Sequence, residues 1–479
     1  MTDELGNPTH GMAAQDTLHP AGPIGKMVQR AMGADTLRMH MPGHKGLLAL
    51  PGAGHDVTEI PGTDTLFDPS EGILRAQQLA AARWGAAASR LLVNGSTAGI
   101  QAMVLWAAAR KRRLYVPRNC HVSVPFACAI AGVQPVWLPC GWEQEQQVLT
   151  WSTDALNIPA GECAALLVTS PDYFGRCLDF AALRAALPSG VALLVDAAHG
   201  SHLAYSPRLP KDGGAFADLW VCGAHKTLPA PTQTAYLHIK HGSDVPLVTR
   251  LLQGVSTTSP SYLLMEGLDN ARAYMDQASG AVEDLIDRCM EMRGRINRLD
   301  GLRAWDDGDA RATGYAAHDP TRLVVDVAGT GMTGWQAAAV LARQGVVVEM
   351  ADQQRIVCIL SVVDDAPRTE ALFAALRHLC KREDDNTSTQ ARPKAAPPPF
   401  GRAVLTLREA WLAQSDEVEL PEAVGRIAAE PFGAYPPGQA LAMPGEIITT
   451  AAVEAAQRAL AMGGSVFGLR RGLLSVVKE

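Results

Sequence analysis

The stretch VCGAHKTLPAPTQTAYLH, from Val221 to His238, contains the residues that decide the fold of this chain. The apolar run that ends at Cys222 predicts a buried strand, which Gly223 terminates. Lys226 follows at the point where this strand should meet a loop. Burial removes water from a lysine, lowers its pKa and makes the neutral amine available as a nucleophile. A lysine in this place therefore indicates Schiff-base chemistry.

Other apolar runs resemble the one before Gly223, and each ends in small or polar residues. They are SRLLVNGST (89–97), RRLYVPRNCH (112–121), AALLVTSP (164–171), VALLVDAAHG (191–200) and ADLWVCGAHK (217–226). Continuous hydrophobicity is typical of strands that are buried on both faces of a parallel sheet. We therefore predict an α/β fold with a mostly parallel sheet whose strand ends carry the ligand-binding residues.

A polar, proline-rich segment without periodicity, EDDNTSTQARPKAAPPP, indicates a linker near the end of the chain. Before it, a strand–helix–strand pattern indicates a second, smaller domain. The predicted organisation is an N-terminal segment (1–70), a large domain (71–300), a small α+β domain (301–382), the linker (383–399) and a C-terminal domain (400–479).

Composition excludes several classes of protein. The 479 residues are 47% hydrophobic and 19% charged, which is typical of a soluble protein with several domains. The net charge of −7 and the lack of a basic arm argue against nucleic acid as a partner. The nine cysteines include no CxxC pair, which argues against zinc and for a reducing compartment. A polar start and the lack of a membrane-spanning apolar run predict a cytoplasmic protein without a membrane partner.

A glycine motif offers an alternative function. Gly329, Gly331 and Gly334 form a GxGxxG pattern after an apolar run, with Glu349 and Asp352 downstream. This spacing matches a dinucleotide-binding fingerprint. A dinucleotide fold needs several more parallel strands, however, and only about thirty residues follow before the linker. The pattern therefore favours an ordinary strand–turn–helix in the small domain.

Pyridoxal phosphate (PLP) is a cofactor that forms a Schiff base with a lysine, and it needs an anion site for its phosphate. Gly95, Ser96 and Thr97 follow a predicted strand and open an apolar helix. Their amides and hydroxyls would converge at the positive end of that helix. The alternative, that Ser96 or Thr97 only caps the helix, is equally compatible with this motif.

The cofactor ring makes two further demands. Asp196 ends the run VALLV, where an unpaired carboxylate would be costly and a protonated pyridine nitrogen would supply a partner. Ala198 is small enough to lie on the same side against a ring. His121, after the run RLYVP, is a candidate to stack on the opposite side, although a histidine at a strand end is more often structural.

Two other arrangements compete with this interpretation. His199 and His202 could bind a metal, but no further ligand lies nearby at the spacing of a zinc site, so we predict no metal. Lys45 also follows a histidine, in MHMPGHKG, but this loop has no buried strand before it. Lys226 is therefore the better nucleophile.

Taken together, the motifs resemble the Orn/Lys/Arg decarboxylase family of fold-type I PLP enzymes. The resemblance runs from about Met39 to Glu446, through HMPGHKG, TEIPGTDTL, LLVNGSTAGIQAM, PRNCHVS, SPDYFG, VDAAHGSHL, AHKTLPAPTQTAYLH, STTSPSYLLM, GRIAAE and YPPGQALAMPGE. It implies an aspartate-aminotransferase-like large domain, a small domain and a C-terminal domain peculiar to the family. It also implies the short bacterial form without an N-terminal wing domain, and hence a homodimer or a small homo-oligomer.

The resemblance also implies roles for residues. Lys226 resembles the lysine that binds the cofactor, Asp196 the partner of its pyridine nitrogen and His121 the stacking histidine. Gly95, Ser96 and Thr97 resemble the phosphate site, and His225 resembles the histidine beside the lysine. Ala198 and His199 are expected as further cofactor contacts. Thr257 and Thr258 belong to a loop (256–260) that is similar to one that enters the active site of the neighbouring subunit.

The implied activity is decarboxylation of a basic amino acid, with arginine favoured over lysine or ornithine. Transamination or an oxidative reaction on the same scaffold stays open, as does a PLP-binding regulatory protein with weak catalysis. The cationic end of the substrate needs an acidic partner, and the candidates are Asp172, Glu349, Asp352 and Glu446.

Two positions depart from the family pattern. Gly223 stands where members usually carry a serine that reaches the phosphate, and Asp172 stands for the threonine of SPTYYG. We expect the missing hydroxyl to loosen the cofactor, so that Gly223→Ser would tighten it. The alternative is that glycine permits a close approach that serine would block. Asp172 is expected to add negative charge near an anionic cofactor.

Overall fold

The computed structural model describes residues 22–32, 36–47, 51–380, 400–435 and 439–478. The predicted linker at 383–399 lies outside the described residues. The helices are α1 Pro23–Ala31, α2 Gly72–Trp84, α3 Gly95–Ala109, α4 Ser123–Ala131, α5 Phe180–Ala186, α6 Ala224–Thr227, α7 Val245–Val255, α8 Tyr262–Gln277, α9 Ser279–Ile296, α10 Asp307–Ala312, α11 Gly334–Arg343, α12 Ala366–His378, α13 Leu407–Leu412 and α14 Thr450–Ala461.

The strands are short, as is usual for an α/β protein. They are β1 Ala88–Leu92, β2 Arg113–Pro117, β3 Val136–Leu138, β4 Gly141–Glu143, β5 Val148–Thr150, β6 Ala164–Thr169, β7 Arg176–Cys177, β8 Ala192–Ala197, β9 Leu219–Cys222, β10 Ala235–Ile239, β11 Arg303–Ala304, β12 Ala317–His318, β13 Arg322–Asp326, β14 Met350–Ala351, β15 Arg355–Ile359, β16 Ser415–Glu419, β17 Phe432–Tyr435, β18 Gln439–Ala442, β19 Ser465–Phe467, β20 Leu469–Arg470 and β21 Leu473–Val477.

The central sheet has seven strands in the order β1-β10-β9-β8-β6-β2-β3. The pairs β2–β3, β2–β6, β6–β8 and β8–β9 are parallel, and only β10 runs antiparallel to its neighbours β1 and β9. Because parallel strands end at the same edge, the residues that follow β2, β6, β8 and β9 come together there. The predicted mostly parallel α/β sheet is confirmed.

Apolar residues on both faces of the sheet explain the continuous hydrophobic runs. Leu166 and Val168 of β6 pack into one core with residues of α2 and α8, while Ala165 and Leu167 pack into a second core with residues of α3 and α4. Successive side chains of a strand point to opposite faces, so β6 is buried on both faces from Ala164 to Val168. The predicted N-terminal segment shares the first core through Ile24, Met27 and Val28 of α1.

The small sheet has the order β11-β13-β15-β14, and all of its strand pairs are antiparallel. This sheet excludes the dinucleotide fold, which requires parallel strands. The GxGxxG motif is a strand–turn–helix, as favoured. A Cβ on Gly334 would lie 2.0 Å from the carbonyl oxygen of Arg355, so close packing of α11 on β15 explains this glycine.

One face of the small sheet packs against α9, α11 and α12, and the other contacts the large sheet's loops through Val324 and Val357, which pack with Phe174. Beyond the linker, two three-stranded sheets, β16-β21-β20 and β18-β17-β19, enclose a core with α14. Across the described ranges, no helix is both long enough and apolar enough to span a membrane.

Candidate active site

A cavity opens at the edge of the central sheet where β6, β8 and β9 end and α3 begins. Six of the predicted cofactor residues line it: Ser96, His121, Asp196, Ala198, His199 and Lys226. These residues are separated by up to about 130 positions in sequence, and the parallel strands bring them together because all of them follow strand ends or begin a helix.

Asp196 lies near the end of the fully buried strand β8, and only 2% of its surface is exposed. Its Oδ1 accepts a hydrogen bond from the backbone N–H of Ala198 at 3.1 Å. Within the described residues, no basic side chain forms an ion pair with this carboxylate. A buried carboxylate in this condition is costly, so a protonated pyridine nitrogen fits the site.

Lys226 lies in the short helix α6, directly after β9. Its Nζ is 3.1 Å from Nε2 of His199 and 5.9 Å from the ring centre of Tyr173. Burial lowers the pKa of Lys226, the nearby charge of Asp196 opposes this and the charge of Arg322 adds to it. The predicted lowering of the lysine pKa is therefore confirmed. Lys45 instead lies on a loop, where its Nζ donates to the carbonyl oxygen of His40.

The phosphate site predicted at Gly95, Ser96 and Thr97 coincides with the first turn of α3. No side chain caps this helix, and the N–H of Gly95 donates to the carbonyl oxygen of Gln233 at 2.8 Å, so the amides of Ser96 and Thr97 are the ones that can face an anion. The Oδ1 atom of Asn94 instead accepts a hydrogen bond from the backbone N–H of Thr257 at 3.2 Å. The loop that carries Thr257 and Thr258 therefore lies beside the predicted phosphate site of the same chain.

Two of the histidines predicted beside the cofactor, His121 and His225, differ in their surroundings. His121 follows β2, lines the cavity and is oriented by a contact of 2.8 Å between its Nδ1 and Oγ of Ser123. His225 donates from Nδ1 to the carbonyl oxygen of Thr234 at 2.9 Å. That bond leaves Nε2 of His225 as its acceptor nitrogen.

Asp172 lines the cavity, but its charge is already balanced. Its Oδ2 is 2.7 Å from Nη2 of Arg176, and its Oδ1 accepts the backbone N–H groups of Phe174 and Arg176. The expectation that Asp172 brings additional negative charge to the cofactor is therefore wrong. The sequence contains Arg176 four residues later, but it does not reveal that the chain turns back on itself there.

Two other candidates for binding the cationic end of the substrate already form ion pairs. Asp352 pairs with Arg355 at 2.9 Å, and Glu446 forms a bidentate ion pair with Arg118. An arginine neutralises each carboxylate, which argues against a role in holding a cationic substrate. Glu349 is exposed, and its charge raises the pKa of Lys226, so it lies within electrostatic reach of the lysine.

Gly223 corrects a second expectation. A Cβ at this position would lie 2.6 Å from the carbonyl oxygen of Ala198, a contact with backbone that real Cβ atoms do not make. The backbone of Gly223 also donates to that same oxygen at 3.2 Å. The structure therefore favours the alternative, in which glycine permits a close approach of β9 to the residues after β8.

Sequence reasoning missed three residues of this region: Arg322, Tyr173 and Asn119. Nη2 of Arg322 lies 2.9 Å from Nδ1 of His199, Tyr173 packs against the ring of His199, and Asn119 lines the cavity. The charged residue that opens the apolar run RLVVD was a possible signal for Arg322, since a buried strand rarely begins with an unpaired arginine.

The histidines considered as metal ligands have separate partners. His199 contacts Lys226 and Arg322, whereas Nε2 of His202 lies 3.0 Å from Oδ2 of Asp319. In the part of the chain that the structure describes, no group of three or more His, Cys, Asp or Glu side chains could hold a metal ion.

Comparisons with known proteins identify the family of this chain. The family model described as Orn/Lys/Arg decarboxylase, major domain, matches residues 53–309, and the C-terminal domain model of the same family matches 395–462. The chain is 29% identical to an arginine decarboxylase of Bacillus anthracis over 92% of this chain and 94% of that protein. It is 30% identical to an arginine decarboxylase of Halalkalibacterium halodurans over 86% of this chain and 88% of that protein.

Among solved structures, the constitutive lysine decarboxylase of Escherichia coli has a TM-score of 0.79 at 18% identity, over 95% of this chain and 82% of that chain. This similarity shows the fold. The family model of the major domain by itself covers more than half of the sequence. The chain belongs to the Orn/Lys/Arg decarboxylase family.

Proposed function

We propose that this chain uses PLP, bound at the described cavity, to decarboxylate arginine. The observation that carries the proposal is the presence of two unusual groups in one cavity: the half-buried amine of Lys226, whose pKa is lowered, and the buried carboxylate of Asp196, which forms no ion pair within the described residues. Both groups are costly in an empty site, and both are satisfied by a cofactor with an aldehyde and a basic ring nitrogen.

The residues of the cavity would have different roles in binding the cofactor. The amides of Ser96 and Thr97 and the hydroxyl of Ser96 would hold the phosphate, and Asp196 would keep a proton on the ring nitrogen. Ala198 and His121 would face the two sides of the ring. When bound, the cofactor supplies an electron sink for the electron pair that remains after CO2 leaves.

Lys226 has two roles in this proposal. Its neutral Nζ would hold the cofactor through the aldehyde, and, once free, it would donate a proton to the substrate carbon. Asp196 contributes more as negative charge flows toward the ring, because the attraction to its protonated partner grows in the transition state.

Support for a basic amino acid comes from the relatives, which include arginine decarboxylases at 29–30% identity and a lysine decarboxylase of Escherichia coli at 22%. Arginine is favoured by the higher identity. Glu349 is our candidate for the acidic partner of the substrate's cationic end, because the other three candidates are neutralised by arginines.

A product assay tests the proposal. Purified protein with PLP is incubated separately with arginine, lysine and ornithine, and CO2 and the corresponding amine are measured. We expect agmatine from arginine as the main product, no amine from Lys226→Ala, and retained activity in Lys45→Ala, the matched control from the other His-Lys pair. Formation of a keto acid in place of CO2 would assign the cavity to transamination or oxidation and contradict the proposal.

A further inference from the structure

We propose that Arg322 is a positioning residue that acts through His199 to present Lys226 as a neutral amine. The proposal rests on the assignment of Lys226 as the nucleophile in the proposed function. It concerns the hydrogen-bonded series Arg322–His199–Lys226, which we call the arginine relay.

The arginine relay has a direction that follows from its donors. Nη2 of Arg322 lies 2.9 Å from Nδ1 of His199, and a guanidinium can only donate. Nδ1 of His199 must therefore be the acceptor, which places the proton of the neutral ring on Nε2. Nε2 lies 3.1 Å from Nζ of Lys226. An N–H at this distance needs a lone pair to accept it, and only the neutral amine of Lys226 has one.

His199 is held in the neutral form that this series requires. It is buried, and burial lowers its pKa well below the ordinary value, with the charge of Arg322 acting in the same direction. Tyr173 packs against the imidazole with ring centres 4.7 Å apart. An imidazole that is neutral and restrained in this way keeps its donor directed at Lys226.

The burial of Arg322 is not explained by an ion pair, since none forms within the described residues. It is 1% exposed, and its Nε and Nη1 have no hydrogen-bond partner within the described residues. Burying a guanidinium costs solvation free energy, and the hydrogen bond from Arg322 to His199 does not compensate for this cost. Such a residue is expected where its charge and its donor serve the site.

Burial and three charges act on the pKa of Lys226, and their signs determine the effect of losing Arg322. Asp196 and Glu349 raise the lysine pKa, whereas burial and the charge of Arg322 lower it. Replacing Arg322 by a neutral residue removes a lowering effect. It also allows Nδ1 of His199 to carry the proton, so that Nε2 becomes an acceptor for a lysine ammonium. Both changes raise the pKa of Lys226, so that its amine becomes neutral only at higher pH.

The experiment measures the amine in the apoprotein and does not depend on turnover. Wild type and Arg322→Gln are treated with trace acetic anhydride across a pH series, and acetylation of the Lys226 peptide is quantified by mass spectrometry. We expect the midpoint to move to higher pH in Arg322→Gln, with acetylation at neutral pH falling about tenfold for each unit of movement. Arg322→Lys, which keeps the charge, should move it less. An unchanged midpoint in Arg322→Gln would overturn the proposal.

Two further measurements keep the result interpretable. Arg272→Gln removes another buried arginine, one that pairs with Asp269 and Asp276 away from the cavity, and it should leave the Lys226 midpoint unchanged. If Arg322→Gln does not fold, the tautomer of His199 in wild-type apoprotein decides, by nitrogen NMR of labelled histidine. A proton on Nε2 supports the arginine relay, and a proton on Nδ1 overturns it.

Failure of the proposed function gives a different pattern. In that case the wild-type holoprotein releases no amine from any of the three amino acids, while the acetylation midpoint of Lys226 still depends on Arg322.

Discussion

The absence of a side chain at Gly223 allows two backbone segments of the site to lie close together. The 2.6 Å separation between a Cβ at this position and the carbonyl oxygen of Ala198 leaves no room for serine unless one of the two segments moves. Ala198 lies where the cofactor ring is expected, so such a movement would disturb the cavity. We expect Gly223→Ser to weaken PLP binding about tenfold or more, which is the effect of overpacking by roughly 1–3 kcal/mol.

Titration of the apoproteins with PLP, followed by visible absorbance, measures this effect. Gly242→Ser is the matched control, because a Cβ there meets nothing within 4 Å, and its affinity should equal that of wild type. Tighter binding by Gly223→Ser would restore the original expectation that the missing hydroxyl loosens the cofactor.

At the scale of elements, the C-terminal domain holds both ends of the segment that carries His121. Before this segment, Nη2 of Arg118 lies 3.0 Å from Oε2 of Glu446, and both side chains are buried. After it, Nη1 of Arg408 donates at 3.0 Å to the carbonyl oxygen of Ile130 at the end of α4. The C-terminal domain therefore contributes to the position of His121 in the cavity.

Glu446→Gln should lower the free energy of unfolding by about 3–5 kcal/mol, because it leaves the charge of Arg118 buried and unpaired. We also expect weaker PLP binding, since Asn119, Cys120 and His121, the three residues after Arg118, all line the cavity. Urea unfolding and cofactor titration measure the two effects. Glu430→Gln serves as the control in the same domain: its partner Arg470 is 66% exposed, and the loss should be below about 1 kcal/mol. Equal losses in the two variants would contradict this account of the Arg118–Glu446 pair.

At the scale of the whole molecule, the segment 36–47 has several apolar side chains whose exposure to water is unfavourable. Leu37, Met39, Met41 and Leu47 are 83%, 80%, 67% and 87% exposed. Such a group is typical of a surface that another chain covers. We propose that a second copy of this chain covers it, in line with the predicted homodimer.

Light scattering of wild type and of the double variant Met39→Asp/Leu47→Asp tests this proposal. We expect wild type to have at least the mass of a dimer and the double variant to shift toward the monomer, because charge in a buried interface is costly. Val347→Asp is the control: this residue of the small domain is 88% exposed, and its replacement should leave the mass unchanged. A wild-type monomer, or a double variant with unchanged mass, would contradict the assignment of this surface.

Local sequence pattern was sufficient for much of the fold and for the centre of the site. Runs such as VALLV and LWVC are apolar at every position because both faces of their strands are covered, and this can be recognised without a structure. The rule that parallel strands end at one edge then placed Asp196, Lys226 and the start of α3 in the same region.

Partners that lie far apart in the chain were decided only by the tertiary structure. Glu446 is 328 positions from Arg118, and Arg322 is 123 positions from His199, so no periodicity or spacing connects them. The sequence by itself determined which residues could carry charge into the core. The path of the backbone decided which of those charges neutralise each other, because an ion pair or a hydrogen bond depends on distances of a few ångströms that only the packed chain establishes.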